Sequence, residues 1–366
     1  MRTVGVEEEF LLVDPGTGAP SAAAVALTEL AAEDEDAPLQ FELQQEMIET
    51  ATRPFRRIDE LHAAIAHGRR RVDDAARAGG ARAVALGTSP LAWTTHTAPR
   101  PRYGEMLRRY RRVTARTLTC GMHVHVAIDS RAEGVAVLDR IRVWLPVLVA
   151  LTANSPFEGG EDTGLQSFRR IAWGAWPSSG PLEVLGDIAT LDRLERDALG
   201  TGVLLDRGMF YFDARLSRSQ PTVEVRVADV CLASADAAVI AAVVRGLVDV
   251  AATDAASGRP APAVPALALR LASWQAATEG LRSVLVHPLT GAPAPAAEVV
   301  GALGEAVAAA LARSGDEELV TRGLAEILAR GSGADWQRAR FVETASLREV
   351  VLAAADQTRS EDAPRR

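Results

Sequence analysis

The sequence predicts an α+β protein with a sheet-bearing front, residues 1–233, and a helical back, residues 234–356. Over the first two-thirds, short β-like runs alternate with helical stretches. The last third is almost wholly rich in Ala, Leu, Val and Arg at helical spacing. The Pro/Gly-rich breaks at 257–265 and 287–295 are neither long nor polar enough to link independent units, so a single domain is expected over 1–356. Residues 357–366 are expected as a flexible tail.

In chain order, strands are predicted over 3–13, 39–49, 82–87, 119–128, 209–213 and 222–227. Helices are predicted between and after them, over 21–32, 57–78, 103–116, 134–150, 191–199, 235–253, 265–278, 296–313, 317–330 and 344–356. Four strands carry chemistry, because side chains alternate between the two faces of a strand. In Val4-Gly5-Val6-Glu7-Glu8-Glu9-Phe10, Glu7 and Glu9 share one face and Val4, Val6, Glu8 and Phe10 the other. Read as one continuous strand, 41–47 puts Glu42, Gln44 and Glu46 together against Phe41, Leu43 and Met47. Gly121 to Val126 sets His123 and His125 opposite Met122, Val124 and Val126. In 222–227, Thr222, Glu224 and Arg226 oppose three valines.

A sheet built from these strands has an apolar face and a face of carboxylates, imidazoles and a guanidinium. Such a face is either solvated, as charged strand faces commonly are, or lines a cavity for metal and phosphate. Hard carboxylate oxygens suit magnesium. Arg169 and Arg170, which follow the polar loop 162–168, are candidates for a substrate carboxylate or a transferring phosphoryl group, since guanidinium forks both geometries.

Composition narrows the classes. With 366 residues, 48% hydrophobic and 24% charged, the chain can bury a substantial core. A net charge of −8 argues against nucleic-acid partners, and no apolar run is long enough to span a bilayer. MRTVGVEEEF lacks the features of a secretory signal, and two cysteines, Cys120 and Cys231, form no disulfide framework, so a cytoplasmic protein is expected. Lysine is absent. Schiff-base chemistry, a pyridoxal anchor and a Walker-type lysine are thereby excluded. Neither GxGxxG nor GxxxxGK[ST] occurs.

The ordered set GVEEEF, the Gln-rich run ending in Glu46, Gly87-Thr88-Ser89-Pro90, GMHVHV, NSPF, DTGLQSFR and TVEVRV resembles the glutamate–cysteine ligase type 2, or carboxylate–amine ligase, family. The resemblance implies a curved, mostly antiparallel sheet surrounded by helices and lined by the active site. It implies ATP and Mg2+ as cofactors. Glu7, Glu9, Glu46, His123 and Glu224 would be metal ligands, with Glu46, Glu224, Arg226 and His125 beside the nucleotide. Arg226, His123 and Arg169 would act in catalysis. A carboxylate, glutamate by default, would form an acyl phosphate that an amine, cysteine by default, displaces. Glu158, Leu165 and Gln166 depart from the family's pattern and are expected near the substrate pocket. Two rival readings stay open: a metal-dependent hydrolase using the Glu/His cluster, and a catalytically silent binding protein. The helical back could support a homodimer.

Overall fold

Alternation of apolar and polar side chains builds the central sheet. The computed structural model describes residues 1–30 and 39–360. Strand β1 (Val4–Val13) runs antiparallel between β3 (Met47–Ala51) and β5 (Gly121–Ala127). Beyond β3 lies β2 (Leu39–Phe41), and β4 (Arg82–Val84) pairs with the far end of β1. A two-residue-per-strand hairpin, β6 (Phe157–Glu158) and β7 (Glu161–Asp162), stands apart. The sheet then continues past β5 through β9 (Thr222–Asp229) to β8 (Ala214–Leu216), giving the order β2-β3-β1-β5-β9-β8 with β4 on β1. A second small hairpin, β10 (Val284–Val286) with β11 (Pro293–Pro295), occupies the break predicted over 287–295. Every strand pairing among the described residues is antiparallel.

Helices α1 (Ala24–Leu30), α2 (Ile58–Ala78), α3 (Pro101–Tyr110), α4 (Arg112–Ala115), α5 (Arg131–Ile141), α6 (Leu145–Thr152), α7 (Phe168–Trp173) and α8 (Ile188–Gly200) intersperse the strands. The back comprises α9 (Ser234–Ala256), α10 (Ala266–Glu279), α11 (Ala296–Ser314), α12 (Glu317–Arg330), α13 (Gly333–Thr344) and α14 (Leu347–Arg359). Val4, Val6, Met122, Val124, Val126, Val223 and Val225 bury the sheet's apolar face in one cluster with side chains of α2, α5, α6 and α9. Helix α9 is buried along most of its circumference, which its Ala/Val composition permits and which a solvent-facing helix would not tolerate. Glu8 shares this apolar face. Its charge is met by Arg69 of α2, whose Nε and Nη2 donate to the carboxylate at 3.0 and 2.5 Å.

Several expectations need correction. The run 39–49 is two strands, because residues 42–46 leave the ladder: Gln45 N–H donates to His96 O at 2.8 Å and Gln44 Nε2 to Thr114 O at 2.8 Å. Residues 210–213 are irregular, with β8 starting at Ala214. The helix expected over 134–150 is α5 and α6, the second opening with Pro146 in its first turn, where a missing N–H costs nothing. The helix expected over 21–32 is α1, and residues 31 and 32 lie outside the described ones. Residues 357–359, expected in the tail, are helical. Helix α14 runs to Arg359, with Thr358 fully buried and accepting the Ala85 N–H at 2.8 Å; residues 361–366 lie outside the described ones.

Candidate active site

The polar face of the sheet is the floor of a cavity of about 540 Å³. Register sets the floor. Glu9 lies opposite Glu49, Glu7 opposite His123, and His125 opposite Glu224, which in turn faces Arg215 of β8. Arg226 follows on β9, where a bulge sets Arg226 and Val227 against the single residue His123 of β5, and its Nη1 lies 3.4 Å from His123 Nδ1. Over this floor lie Leu43, Tyr103, Met106, Trp173, Trp176 and Tyr211, which form a separate apolar cluster with Met209 and Phe210.

Two groups of side chains could hold a cation: Glu7, Glu49 and His123, and Glu7, His125 and Glu224, each with ligand atoms within 4.8 Å of one another. His123 Nδ1 stands 3.2 Å from Glu7 Oε2, and His125 Nε2 3.3 Å from Glu7 Oε1. Glu224 also takes Arg215 in a fork, at 2.8 and 3.1 Å, and an ion pair from Arg226. Glu9 accepts the Gly121 N–H at 2.6 Å.

The electrostatics express a surplus of carboxylates. Burial and the nearby Glu9 push the Glu42 carboxyl up to about 7. Glu49 is pushed well above its ordinary range by burial and then by Glu42, Glu7 and Glu9. Glu7 goes the other way. Burial opposes its ionisation, but hydrogen bonds from His123 and His125 outweigh it. Burial likewise opposes Glu224, yet Arg226 and Arg215 hold it down at about 2. His123 is driven below its usual value by burial and by Arg226, which keeps its imidazole neutral and able to ligate. Five carboxylates converging without enough guanidinium is the arrangement that a divalent cation relieves.

The structure brings together Glu7, Glu9, His123, His125, Glu224 and Arg226 of the residues picked from sequence. It does not bring Glu46. That carboxylate is buried outside the cavity, accepting from His96 Nδ1 at 2.6 Å and from the His96 N–H at 3.1 Å. Its expected place is taken by Glu49, with Glu42 nearby. The break at 42–46 reverses which side chains face the floor, so a parity count carried through it selects the wrong glutamate. Arg169 is also outside the cavity. It packs behind Gly121, with its guanidinium 3.5 Å from the carbonyls of Arg226 and Val227 and 3.9 Å from Asp229. Arg170 is tied to Asp213 at 2.8 Å.

Asp229 accounts for the NSPF and QSF runs. Its carboxylate accepts from Asn154 N–H, Ser155 Oγ and Ser167 Oγ at 2.9, 2.7 and 2.8 Å, fixing the segment that carries α7 to the end of β9. Glu158 accepts from Trp93 and Gln166 from Arg338, so neither stands at the cavity where the sequence suggested it would. Among the charged residues of the floor, Arg215 and Glu49 had no place in the sequence reading, whereas Glu42 was set on the polar face with Glu46 but given no role. Glu49, three residues past the break in a Met-Ile-Glu-Thr run, left an alternating signal that could have found it.

The model of the glutamate-cysteine ligase family 2 matches residues 3–353. A protein of Paenarthrobacter aurescens (strain TC1), provisionally named glutamate–cysteine ligase 2-3, is 51% identical over 339 residues, 92% of this chain and 80% of that one. One of Streptomyces avermitilis, provisionally named glutamate–cysteine ligase 2-1, is 48% identical over 361 residues, 98% and 99% of the two chains. Among solved structures, the glutamate–cysteine ligase of Francisella tularensis in complex with AMP superposes with a TM-score of 0.73 at 13% identity, covering 98% of this chain and 88% of that one.

Proposed function

Because the chain belongs to the glutamate–cysteine ligase family 2, we propose that its cavity uses ATP and magnesium to join a carboxylate to an amine through an acyl phosphate. The observation that carries this reading is the floor: two overlapping Glu/His groups with cation-ligand spacing, adjoining the guanidinium of Arg226. The donor set fits magnesium bound with nucleotide phosphates, since oxygen from Glu7, Glu49 and Glu224 predominates and the excess carboxylates need a cation. Bound there, magnesium would neutralise phosphate charge and orient the terminal phosphoryl group.

The chain's own residues do the rest. Arg226 meets the transferring phosphoryl group. Its direction is set by Glu224 and by the bulge in β9. Arg169 acts through the backbone, holding the carbonyls of residues 226 and 227 from behind. A second cavity, of about 450 Å³, shares Arg215, Ser217 and Arg218 with the first and is walled by Phe210, Phe212 and Leu216. This slot, with rings on one side and polar groups such as Asp129, Arg131 and Gln220 on the other, suits the nucleoside, with the phosphates crossing Arg218 and Arg215 to reach the floor. Glutamate and cysteine are the default substrates from the family. Two free buried cysteines suit a reducing compartment, and the reading locates the enzyme in the cytoplasm.

The test is ADP release from magnesium-ATP, with glutamate alone and then with a panel of amines. Amine-dependent ADP supports the ligase. Phosphate released from simple phosphoesters without nucleotide, or no ADP from folded protein with any amine, would sink it in favour of a hydrolase or a binding protein.

A further inference from the structure

Helix α10 is apolar on both sides. Leu269, Ala272, Ala276 and Ala277 are buried on the side that meets the core. Leu267, Leu271 and Trp274, four and three residues apart, share the opposite side of the helix, with 66%, 62% and 56% of their surface exposed. A helix that is apolar all round is ordinarily enclosed, and here only half of it is. The other large apolar side chains exposed among the described residues, such as Leu107, Leu289 and Val342, lie one by one on other segments. Scattered residues of that kind are ordinary on a surface, whereas a contiguous stripe marks a contact.

The size of the stripe points to what covers it. Two leucines and an indole at these exposures offer on the order of 400 Å² of apolar surface. A stable dimer buries about 800 Å² on each partner, a little over half of it apolar. The stripe supplies most of that share, and the exposed Ala268 and Val184 add to it; Val184 follows Glu183, whose Oε1 accepts the Ala266 N–H at 3.0 Å at the start of the helix. Self-pairing also satisfies the shape. A two-fold axis crossing α10 between Leu271 and Trp274 makes the two helices antiparallel and sets the leucine of each copy on the indole of the other. Leu267 then meets Thr278, whose hydroxyl is already bonded to Trp274 O at 2.9 Å. Charge does not oppose this. Arg270 is the one charged residue from Ala266 to Thr278, and its guanidinium lies over Gly180, beside the stripe rather than on it. A bilayer is a poorer cover, because a helix that lies on membranes presents a strongly charged second face, and the second face of α10 is in the core.

We infer that this chain forms a two-fold homodimer through the outer face of α10, with Leu267, Leu271 and Trp274 at its centre. The pairing reaches the cavity through the same helix. Ala277 O accepts the N–H groups of Gln166 and Ser167 at 2.7 and 3.0 Å, at the start of α7, which carries Trp173 over the floor. The helix that pairs is therefore the one that braces part of the roof.

Sedimentation velocity of the full chain from about 0.5 to 100 µM tests the inference, since that range brackets the affinity of a small apolar interface. A two-chain species that dissociates on dilution is expected. Leu271→Glu should raise its dissociation constant by at least about a hundredfold, because each interface would then bury two unpaired carboxylates. Val342→Glu, an equally exposed change on α13, should leave it within about twofold. If Leu271→Glu melts early, Leu267→Glu reads the same stripe. A single chain throughout the range, or a two-chain species that neither stripe variant weakens, overturns the inference. Flotation of single chains with phosphatidylglycerol vesicles, lost in Leu271→Glu, would also overturn it by giving the stripe to a membrane.

Discussion

The floor and the roof of the cavity differ in how they are built. The floor comes from alternate positions of adjacent strands, each side chain aimed by the pleat and held by the ladder and by its neighbours' charges. The roof comes from α3, α7, the turn after it and the irregular segment 209–212, positioned by packing of rings rather than by hydrogen-bonded register. Floor residues therefore answer to charge and metal, and roof residues to shape. Substitutions should separate into large losses of phosphoryl chemistry below and modest changes of ligand preference above.

The sharpest way to break that comparison is to exchange the two glutamates on either side of the strand break. Glu49→Gln is expected to lower magnesium-dependent ADP formation by about a hundredfold or more, because it removes one of few oxygen ligands at a charged site. Glu46→Gln should leave turnover within a few-fold, since its carboxylate faces His96 and not the cavity, and should instead lower the melting temperature. Comparable losses of turnover from both would mean that the floor is wrongly drawn.

Three consecutive glutamates on β1 sharpen it further. Glu7 and Glu9 face the cavity, while Glu8 is buried on the other side with Arg69, whose Nη1 and Nη2 also donate to Leu232 O and Cys231 O at 2.9 and 2.7 Å. Removing one partner strands a buried charge. Glu8→Ala is expected to cost about 3–5 kcal/mol in urea denaturation, whereas Glu7→Ala should cost little stability and abolish turnover.

How much of this was legible follows from the same physics. Period-two alternation found Glu7, Glu9, His123, His125, Glu224 and Arg226, because the one bulge in these strands falls at the His123–Arg226 pair and leaves both on the cavity side. It failed at Glu46, because nothing in Phe41 to Met47 marks where the chain leaves the ladder to meet His96 and Thr114. Arg169 was singled out for its chemistry, but a pattern of residue types does not report that the space behind Gly121 would receive it. The aromatic roof left no periodic trace. Trp173, Tyr103 and Tyr211 come from three separate segments, and only tertiary packing puts them in one wall.

The carboxylate surplus gives a pH signature with a definite sign. Glu42 titrates near 7 in the folded chain against about 4.3 unfolded. Between those values the folded state binds more protons, so stability falls as pH rises through that window. Metal-free protein is expected to lose roughly 2 kcal/mol from pH 4.5 to 7, followed by thermal denaturation in a chelator. Magnesium or Glu42→Gln should flatten the slope. Glu224 has the opposite sign: its stabilisation is present above the unfolded value and is lost only as pH falls towards about 2. A metal-free profile that rises from pH 4.5 to 7 would mean that these carboxylates do not crowd one another.

The smallest effect is expected where the chain departs from its family's pattern. Glu158 follows Asn154-Ser155-Pro156-Phe157, and its carboxylate accepts from Trp93 Nε1 at 3.2 Å on the β6–β7 hairpin, away from the cavity lining. Replacing it with the aromatic residue expected there removes one half-buried hydrogen bond, a net contribution of about 1 kcal/mol. Glu158→Phe should therefore shift the melting temperature slightly and change kcat/KM for any amine by less than about threefold. The segment reaches the site only through Asp229, which clamps Ser155 and Ser167 and so sets where α7 begins. A large change of amine preference in Glu158→Phe would mean that the hairpin moves onto the roof when substrate binds.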